Sequence, residues 1–254
     1  MQHNSPFSII FLLLATFLFA WFSLRKTTPP VTDNILIVGT NAEYPPFTFI
    51  DNGTIVGLDI DIIKEVAHRL DKPTLLKDMS FDSLLPKLQF GDIQVIAAGL
   101  TATPEKAKNV LFTKPYISGD PLIVISMANN PPITHLRDLD GKQVVVNEGY
   151  TADQYMSTIQ GPIVKRLATP TEGFLALTSG HSYAFIAAQS SVKPYFDKHG
   201  KTAFNIFTLD GVHDSYSLAV SKQHPELLTA IQNALDAMEK DNTLASIKAK
   251  WGFA

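Results

Sequence analysis

Short apolar runs alternate with helix-spaced apolar positions along the first half of the chain. The run at residues 35–38 stops at Gly39 and predicts a buried strand. The next apolar positions recur at the spacing of an amphipathic helix: Ile60, Ile63, Val66, Ala67 and Leu70. The same order returns with a helix opened by Asp82 and a buried strand at residues 95–98. This alternation predicts an α/β fold with a parallel or mixed sheet.

The second half of the chain starts the pattern again. Apolar runs at residues 122–125 and 144–146 predict strands, and the second run leads into a glycine-containing loop. Residues 217–220 predict a further strand near the C-terminus. The last helix is predicted from Leu228, Ile231, Leu235 and Met238, and its pattern continues through Trp251.

An apolar segment without charges precedes these patterns. Residues 6–24 contain a stretch of about 18 apolar residues, between a signal-peptide core and the roughly 20 residues of a minimal membrane-spanning helix. Only His3 precedes the segment, while Arg25 and Lys26 follow it, so the flanks leave both interpretations open. Residues 1–31 therefore predict a signal peptide or a membrane anchor with a short linker, and a periplasmic location for the rest.

Composition and charge exclude several kinds of chemistry. The 254 residues are 45% hydrophobic, and 21 Lys and Arg against 24 Asp and Glu give a net charge of −3, so no nucleic-acid partner is expected. With no cysteine, the chain has no disulfide, no thiolate metal ligand and no lipid-bearing N-terminal cysteine. The seven histidines have no metal-ligand spacing, and the common hydrolase and nucleotide-binding motifs are missing. We therefore expect no metal, no cofactor and no catalytic residue.

Two predicted helix starts suit an anion. Residues 103–104, Thr-Pro, are typical of an N-cap and first helical position, and Lys106 lies in the first turn, where a cation is unfavourable unless an anion is near. A second start, at residues 149–152, follows a strand of the other half. Tyr44 and Phe81 are suited to stack on an apolar or guanidinium-bearing ligand. The alternatives are a solvated lysine and ordinary core rings.

These residues lie in motifs that one family shares. The motifs GTNAEYPPF at 39–47, GLDID at 57–61, FDSLLPKL at 81–88 and GLTATPEK at 99–106 follow one another in this order. Together they resemble the polar amino-acid-binding proteins of ABC importers (solute-binding protein family 3), which include lysine/arginine/ornithine-, arginine-, histidine- and glutamine-binding proteins. The resemblance covers nearly everything after the linker. It implies a type II periplasmic-binding-protein fold, in which two α/β lobes joined by two crossover strands close on a small ligand.

The resemblance also implies an organisation and partners. Lobe I is expected at residues 32–121 and 214–254 and lobe II at 122–213, with crossovers near 118–122 and 211–215. The expected partners are a small amino acid and an ABC importer permease in the inner membrane. The protein is expected to be a monomer.

The ligand residues of the family carry over with two departures. The resemblance implies a ligand shell of Asn41, Tyr44, Phe81, Ala98, Gly99, Thr101, Lys106, Thr151 and Gln189. Lys106 stands where members typically have an arginine that clamps the ligand carboxylate, so the charge is kept and the bidentate fork is lost. Near Ala188 and Gln189 members commonly have an acid that pairs with the ligand ammonium, and this chain has none there. Asp214 or Glu43 is left for that role, unless the ligand is not an ordinary α-amino acid.

Three functions remain open from the sequence. The first is an extracytoplasmic receptor that captures a polar amino acid, with arginine favoured, and delivers it to a permease. The second is a binding or sensing protein for another small carboxylate, which the two departures favour. The third is an enzyme that resembles the cyclohexadienyl dehydratases of this family. A ligand screen separates the first two, and a prephenate turnover assay tests the third.

Overall fold

The computed structural model describes residues 34–253. The predicted signal or anchor at residues 1–31 lies outside this range, so it stays a prediction. Among the described residues, no helix combines the length and the apolar character needed to cross a bilayer.

The first part of the chain alternates strands and helices, as its apolar pattern predicts. Its elements are β1 (Leu36–Thr40), β2 (Glu43–Tyr44), β3 (Thr48–Asp51), β4 (Thr54–Val56), α1 (Leu58–Arg69), β5 (Thr74–Asp78), α2 (Phe81–Phe90), β6 (Val95–Ile96), α3 (Pro104–Ala107) and β7 (Leu111–Phe112). The predicted apolar face of α1 is buried in the core, with Ile60, Ile63 and Val66 fully covered.

The middle of the chain repeats the alternation. Its elements are β8 (Ile117–Met127), a short 3₁₀ helix (Leu136–Leu139), β9 (Gln143–Asn147), α4 (Thr151–Met156), β10 (Ile163–Leu167), α5 (Pro170–Thr178), β11 (Ala184–Ala188), α6 (Gln189–His199) and β12 (Phe204–Tyr216). The chain ends with β13 (Ala219–Val220), α7 (Pro225–Lys240) and α8 (Thr243–Lys250).

Two five-stranded mixed sheets organise the described residues. The first has the order β5-β1-β6-β13-β7, and the second has the order β10-β9-β11-β8-β12. In the first sheet β1 runs parallel to β5 and β6, whereas β13 returns antiparallel to β6 and β7. In the second sheet β9 is parallel to β10 and β11, and β8 is antiparallel to β11 and β12. The predicted α/β class is therefore confirmed.

The strands β8 and β12 connect the two sheets. They pair from Phe204 opposite Met127 to Tyr216 opposite Ile117, with register shifts between Thr208 and His213 and between Asp214 and Ser215. The chain enters the second sheet along β8 and leaves it along β12, toward β13 of the first sheet. The predicted crossovers lie within these two strands, and the predicted lobe boundaries at 121/122 and 213/214 stay predictions.

Three element predictions differ from the structure in their bounds. The strand predicted at 95–98 pairs only as β6, because the chain turns away at Gly99, where φ is +59°. The strand predicted at 217–220 pairs only as β13. The last helix does not continue to Trp251, because Asn242 has a left-handed φ of +64° and separates α7 from α8.

Candidate functional site

The two sheets meet around one buried carboxylate, Asp214, on β12. Its side chain lies in the cleft between them, and only 4% of the residue is exposed. Thr101, in the loop after β6, donates from Oγ1 to Asp214 Oδ1 at 2.6 Å, and Thr151, at the start of α4, donates to the same oxygen. Within the described residues Asp214 Oδ2 receives no comparable hydrogen bond. Asp214 thus joins a residue of each half and keeps one oxygen for a further donor.

Opposing effects act on the ionisation of Asp214. Burial is the largest, and it raises the pKa of this carboxyl above its ordinary value. The hydroxyls of Thr101 and Thr151 and the charge of Lys106 oppose the rise, because they stabilise the carboxylate. A ligand cation placed beside Asp214 would act in the same direction as the hydroxyls.

Lys106 supplies a positive charge on the same side of the cleft. It lies on α3, whose N-cap Thr103 accepts a hydrogen bond from the Lys106 backbone N–H at 3.2 Å, so the predicted helix start is confirmed. The ammonium is half-buried and donates to the Thr101 carbonyl at 3.4 Å. Burial lowers the pKa of Lys106, while the charges of Asp214 and Glu105 raise it. Lys106 is thus a partly desolvated cation. The nearby acid, Asp214, already accepts hydrogen bonds from two hydroxyls.

A second buried acid, Asp120, faces Asp214 across the β8–β12 pair. Tyr216 donates its hydroxyl to Asp120 Oδ2 at 2.7 Å, and Ser190 donates both its backbone N–H and its hydroxyl. These donors engage both oxygens of Asp120. Asp214 is therefore the better placed of the two acids to accept from a ligand.

The floor of the cleft is the turn at residues 98–101. Ala98 is fully buried, and Gly99 donates its N–H to Asp59 Oδ2 at 2.6 Å. The ring of Tyr44 lies directly over this turn, since a Cβ on Gly99 would lie 2.5 Å from Tyr44 Cε1. Only a glycine allows the ring to approach the backbone so closely.

Three aromatic rings form the side of the cleft. Tyr150, which precedes α4, stacks on Phe81 with centroids 4.3 Å apart and planes 21° apart. Tyr44 and Tyr150 pack edge to face, with ring centroids 5.0 Å apart and planes 63° apart. A pocket of about 300 Å³, lined among others by Phe81, Lys106 and Gly149, opens at one side of the cleft. Beside Asp214, two small cavities each hold about 10 Å³, hardly the room for one water molecule. The halves are therefore closed on each other.

Comparison with known proteins decides the family. Residues 36–254 match the profile of the bacterial extracellular solute-binding proteins, family 3. The chain belongs to this family. The predicted family is thereby confirmed over nearly the whole of the described range.

Individual members of family 3 match over most of their length. The putative ABC transporter arginine-binding protein 2 of Escherichia coli K12 is 29% identical over 247 residues, which are 94% of this chain and 98% of that protein. The probable ABC transporter arginine-binding protein ArtJ of Chlamydia trachomatis is 28% identical over 85% of both chains. A solved structure of an ancestral arginine-binding protein bound to arginine is 36% identical, with a TM-score of 0.81 over 86% of this chain and 98% of that one. The predicted two-lobe periplasmic-binding-protein fold is confirmed.

The structure brings most of the predicted ligand shell of this family 3 protein to one place. Six residues of the predicted shell line the two small cavities, namely Tyr44, Phe81, Gly99, Thr101, Lys106 and Thr151. Ala98 lies just beneath them in the core. Their role toward a ligand stays a prediction.

Two predicted shell residues lie elsewhere. Asn41 turns away from the cleft and donates from Nδ2 to the Met79 carbonyl at 3.1 Å, which holds the loop that precedes Phe81. Gln189 is exposed at the start of α6 and lines a separate groove of about 570 Å³ with Lys193 and Trp251. The helix turns Gln189 outward, whereas Ala188 remains at the cleft.

Sequence reasoning missed the side chain of Tyr150 and left Asp214 as one of two options. The signal for Tyr150 was a bulky aromatic side chain between Gly149 and Thr151. Sequence reasoning assigned this turn only backbone N–H donors, so the ring was missed. Glu43, the other option, is exposed on β2, and its charge acts on Tyr150 from outside. Within the described residues, no cluster of His, Asp and Glu is arranged to hold a metal ion.

Proposed function

We propose that this protein captures a polar α-amino acid, with arginine as the favoured ligand, and delivers it to the permease of an ABC importer. The arrangement of Asp214, Thr101, Thr151 and Lys106 carries the proposal. An α-amino acid presents an ammonium and a carboxylate on one carbon, and the cleft holds an acid and a base with two hydroxyls between them. The arginine-binding relatives support the choice of ligand.

Asp214 takes the ligand ammonium in this proposal. It shares one cavity wall with Ala188, where the family commonly has its acid, so the acid is supplied from β12 instead of from the end of β11. Asp214 Oδ2 accepts from the ammonium while Oδ1 keeps its threonine donors. A charge-assisted hydrogen bond in a closed cleft is short and strong, and it removes the cost of burying either charge alone.

Lys106 takes the ligand carboxylate. Its ammonium lies beside the first turn of α3 and the Thr101 carbonyl, so it reaches the cleft from the first half. A lysine acts as a point charge instead of a bidentate clamp. The hydroxyls of Thr101 and Thr151 stay on Asp214 Oδ1, where they hold the acid between the two halves. Residues from both halves thus contact one ligand, and binding favours the closed arrangement.

We also propose binding without chemical conversion, a monomeric state, and a site of action outside the cytoplasm, with the permease in the inner membrane. The family consists of extracellular solute-binding proteins, which supports the location and the absence of turnover. Incubation with prephenate, followed by absorbance of the aromatic product, is expected to show no conversion. Steady product formation would favour the enzyme hypothesis.

A calorimetric titration tests the ligand and its two charged contacts. The wild type is titrated with arginine, other amino acids and plain carboxylates of similar size. Asp214→Asn and Lys106→Ala should each weaken amino-acid binding by about 2 kcal/mol, because each removes a charge-assisted contact from a poorly solvated cleft. The matched controls are Asp210→Asn, an exposed acid on the same strand, and Lys108→Ala, an exposed lysine two residues further along the chain. Both should bind as the wild type does.

Each alternative result has a definite meaning. Binding of plain carboxylates but not of amino acids would contradict the proposal and favour the second hypothesis. An unchanged dissociation constant in Asp214→Asn, with amino acids still bound, would leave the transport role intact and remove Asp214 from the ammonium site.

A further inference from the structure

The ring of Tyr150 fills the aromatic slot of the cleft. It lies between Phe81, on which it stacks at 4.3 Å, and Tyr44, whose edge it meets at 5.0 Å. Phe81 and Tyr44 both belong to the first half of the chain, whereas Tyr150 precedes α4 of the second half. The ring therefore enters the slot when the halves come together.

The hydroxyl of Tyr150 is poorly satisfied in that position. The residue is 8% exposed, and the hydroxyl oxygen is buried without a hydrogen-bond partner among the described residues. A buried hydroxyl without a partner is unfavourable relative to one in water. The contacts with Phe81 and Tyr44 thus offset the free-energy cost of burying an unpaired hydroxyl. Because of that cost, a ligand group can displace the ring of Tyr150.

The position that the ring of Tyr150 occupies, against the face of Phe81, also suits a flat ligand group. A guanidinium is planar, stacks on aromatic faces and is about as thick as a phenol ring. A guanidinium and the ring of Tyr150 cannot occupy the same slot. An amino acid with a short side chain enters when the halves open and reaches only the region of Asp214, Lys106 and Thr101, so its side chain does not compete with the ring for the slot.

We propose that Tyr150 is a specificity-determining residue that competes with the ligand side chain for the slot between Phe81 and Tyr44. Long, flat side chains bind only after the ring is displaced, so Tyr150 reduces the preference of the cleft for arginine over amino acids with short side chains. This inference rests on the proposed function, and it names the residue that sets the length of side chain accepted by that same site.

Titrations of arginine and alanine into the full chain test the inference. Tyr150→Ala should raise the affinity for arginine relative to alanine by about tenfold or more, because arginine no longer displaces two ring contacts. Tyr150→Phe is the matched control, since it keeps the ring and removes only the hydroxyl, and its ratio should stay near that of the wild type. Tyr150→Thr provides a second small side chain in case the alanine variant fails to fold.

The outcomes separate the two proposals. If amino acids bind and the arginine-to-alanine ratio is the same in the wild type, Tyr150→Ala and Tyr150→Thr, the role of Tyr150 is wrong and the proposed function stands. If no form binds any amino acid, the proposed function fails and the inference fails with it. A ratio that changes in Tyr150→Phe as much as in Tyr150→Ala would contradict competition by the ring.

Discussion

At the scale of single residues, two carboxyl groups, those of Asp59 and Asp214, are buried in the protein. Asp59 lies fully buried beneath the Gly99 turn, and its Oδ2 accepts the Gly99 N–H at 2.6 Å. Asp214 lies in the cleft above the same region, with the hydroxyls of Thr101 and Thr151 as donors. Neutral donors stabilise a carboxylate less than an ion pair does, so burial dominates the ionisation of both acids.

Asp59 is expected to make stability fall as pH rises from about 4 to about 6. Burial raises the pKa of Asp59 from its ordinary 3.8 to about 6, while the hydrogen bond from the Gly99 N–H acts against the rise. Between pH 4 and pH 6 the folded protein keeps this proton while the unfolded chain has lost it. The contribution of Asp59 to the free energy of unfolding is therefore complete below pH 4 and is lost above pH 6. A difference of that size corresponds to about 3 kcal/mol in the free energy of unfolding.

Urea unfolding at several pH values between 4 and 7 measures this effect. Asp59→Asn retains an oxygen for the Gly99 N–H and cannot ionise, so its stability should change less over that interval than the wild type's. Equal pH profiles for the two proteins would show that Asp59 is not the titrating group.

At the scale of elements, the start of α1 docks closely on the chain segment before β3. Leu58 donates its N–H to the Pro46 carbonyl and Asp59 donates to the Phe47 carbonyl, each at 3.0 Å. These bonds satisfy two of the free N–H groups at the helix N-terminus. Gly57 allows the approach, since its φ is +137° and a Cβ there would lie 2.1 Å from the Phe47 oxygen.

Gly57→Ala is expected to lower the free energy of unfolding by about 3 kcal/mol, because a backbone atom has to move and φ is strained. Gly53→Ala is the control. Gly53 also has a positive φ, +77°, but a Cβ there meets nothing within 4 Å, so only the backbone strain of about 1 kcal/mol remains. Chemical denaturation of both variants checks the difference, and similar losses would contradict a close approach at Gly57.

At the scale of the whole molecule, the two halves are held together through few polar contacts and three rings. Thr151 of the second half donates to Asp214, which also accepts from Thr101 of the first half. Tyr150 adds its contacts to Phe81 and Tyr44. Such an arrangement suits a hinged protein, because closure has to be stable enough to form and weak enough to reverse.

Thr151→Val should shift the ligand-free protein toward an open form. The substitution keeps the shape of the side chain and removes one hydrogen bond to a charged group, so the ratio of open to closed molecules should rise about tenfold or more. Energy transfer between dyes placed on the two halves measures that ratio. Thr158→Val is the control, because its hydroxyl donates to the Tyr155 carbonyl within the same half; an equal shift in both variants would contradict a specific role for Thr151.

Particular residues show how far sequence reasoning reached. The helix start at Thr103 was predictable, because its signal lies within four consecutive residues and the side chain caps its own helix. The early end of the last helix was not, because the left-handed conformation of Asn242 depends on how α8 packs after α7. The resemblance to the family implies a ligand contact at Gln189, but its neighbour Ala188 is the one that lines the cleft, because the first turn of α6 directs Gln189 to the surface.

The sequence by itself determined the α/β alternation, the family and the charged residue on α3, because periodicity and motifs are local properties of the chain. Only the tertiary structure decided that Asp214 meets Thr101, 113 residues away, and Thr151, 63 residues away. It also decided that Tyr150 fills the slot between Phe81 and Tyr44. These contacts depend on how β8 and β12 carry the chain from one sheet to the other, and no local pattern records where two distant segments meet.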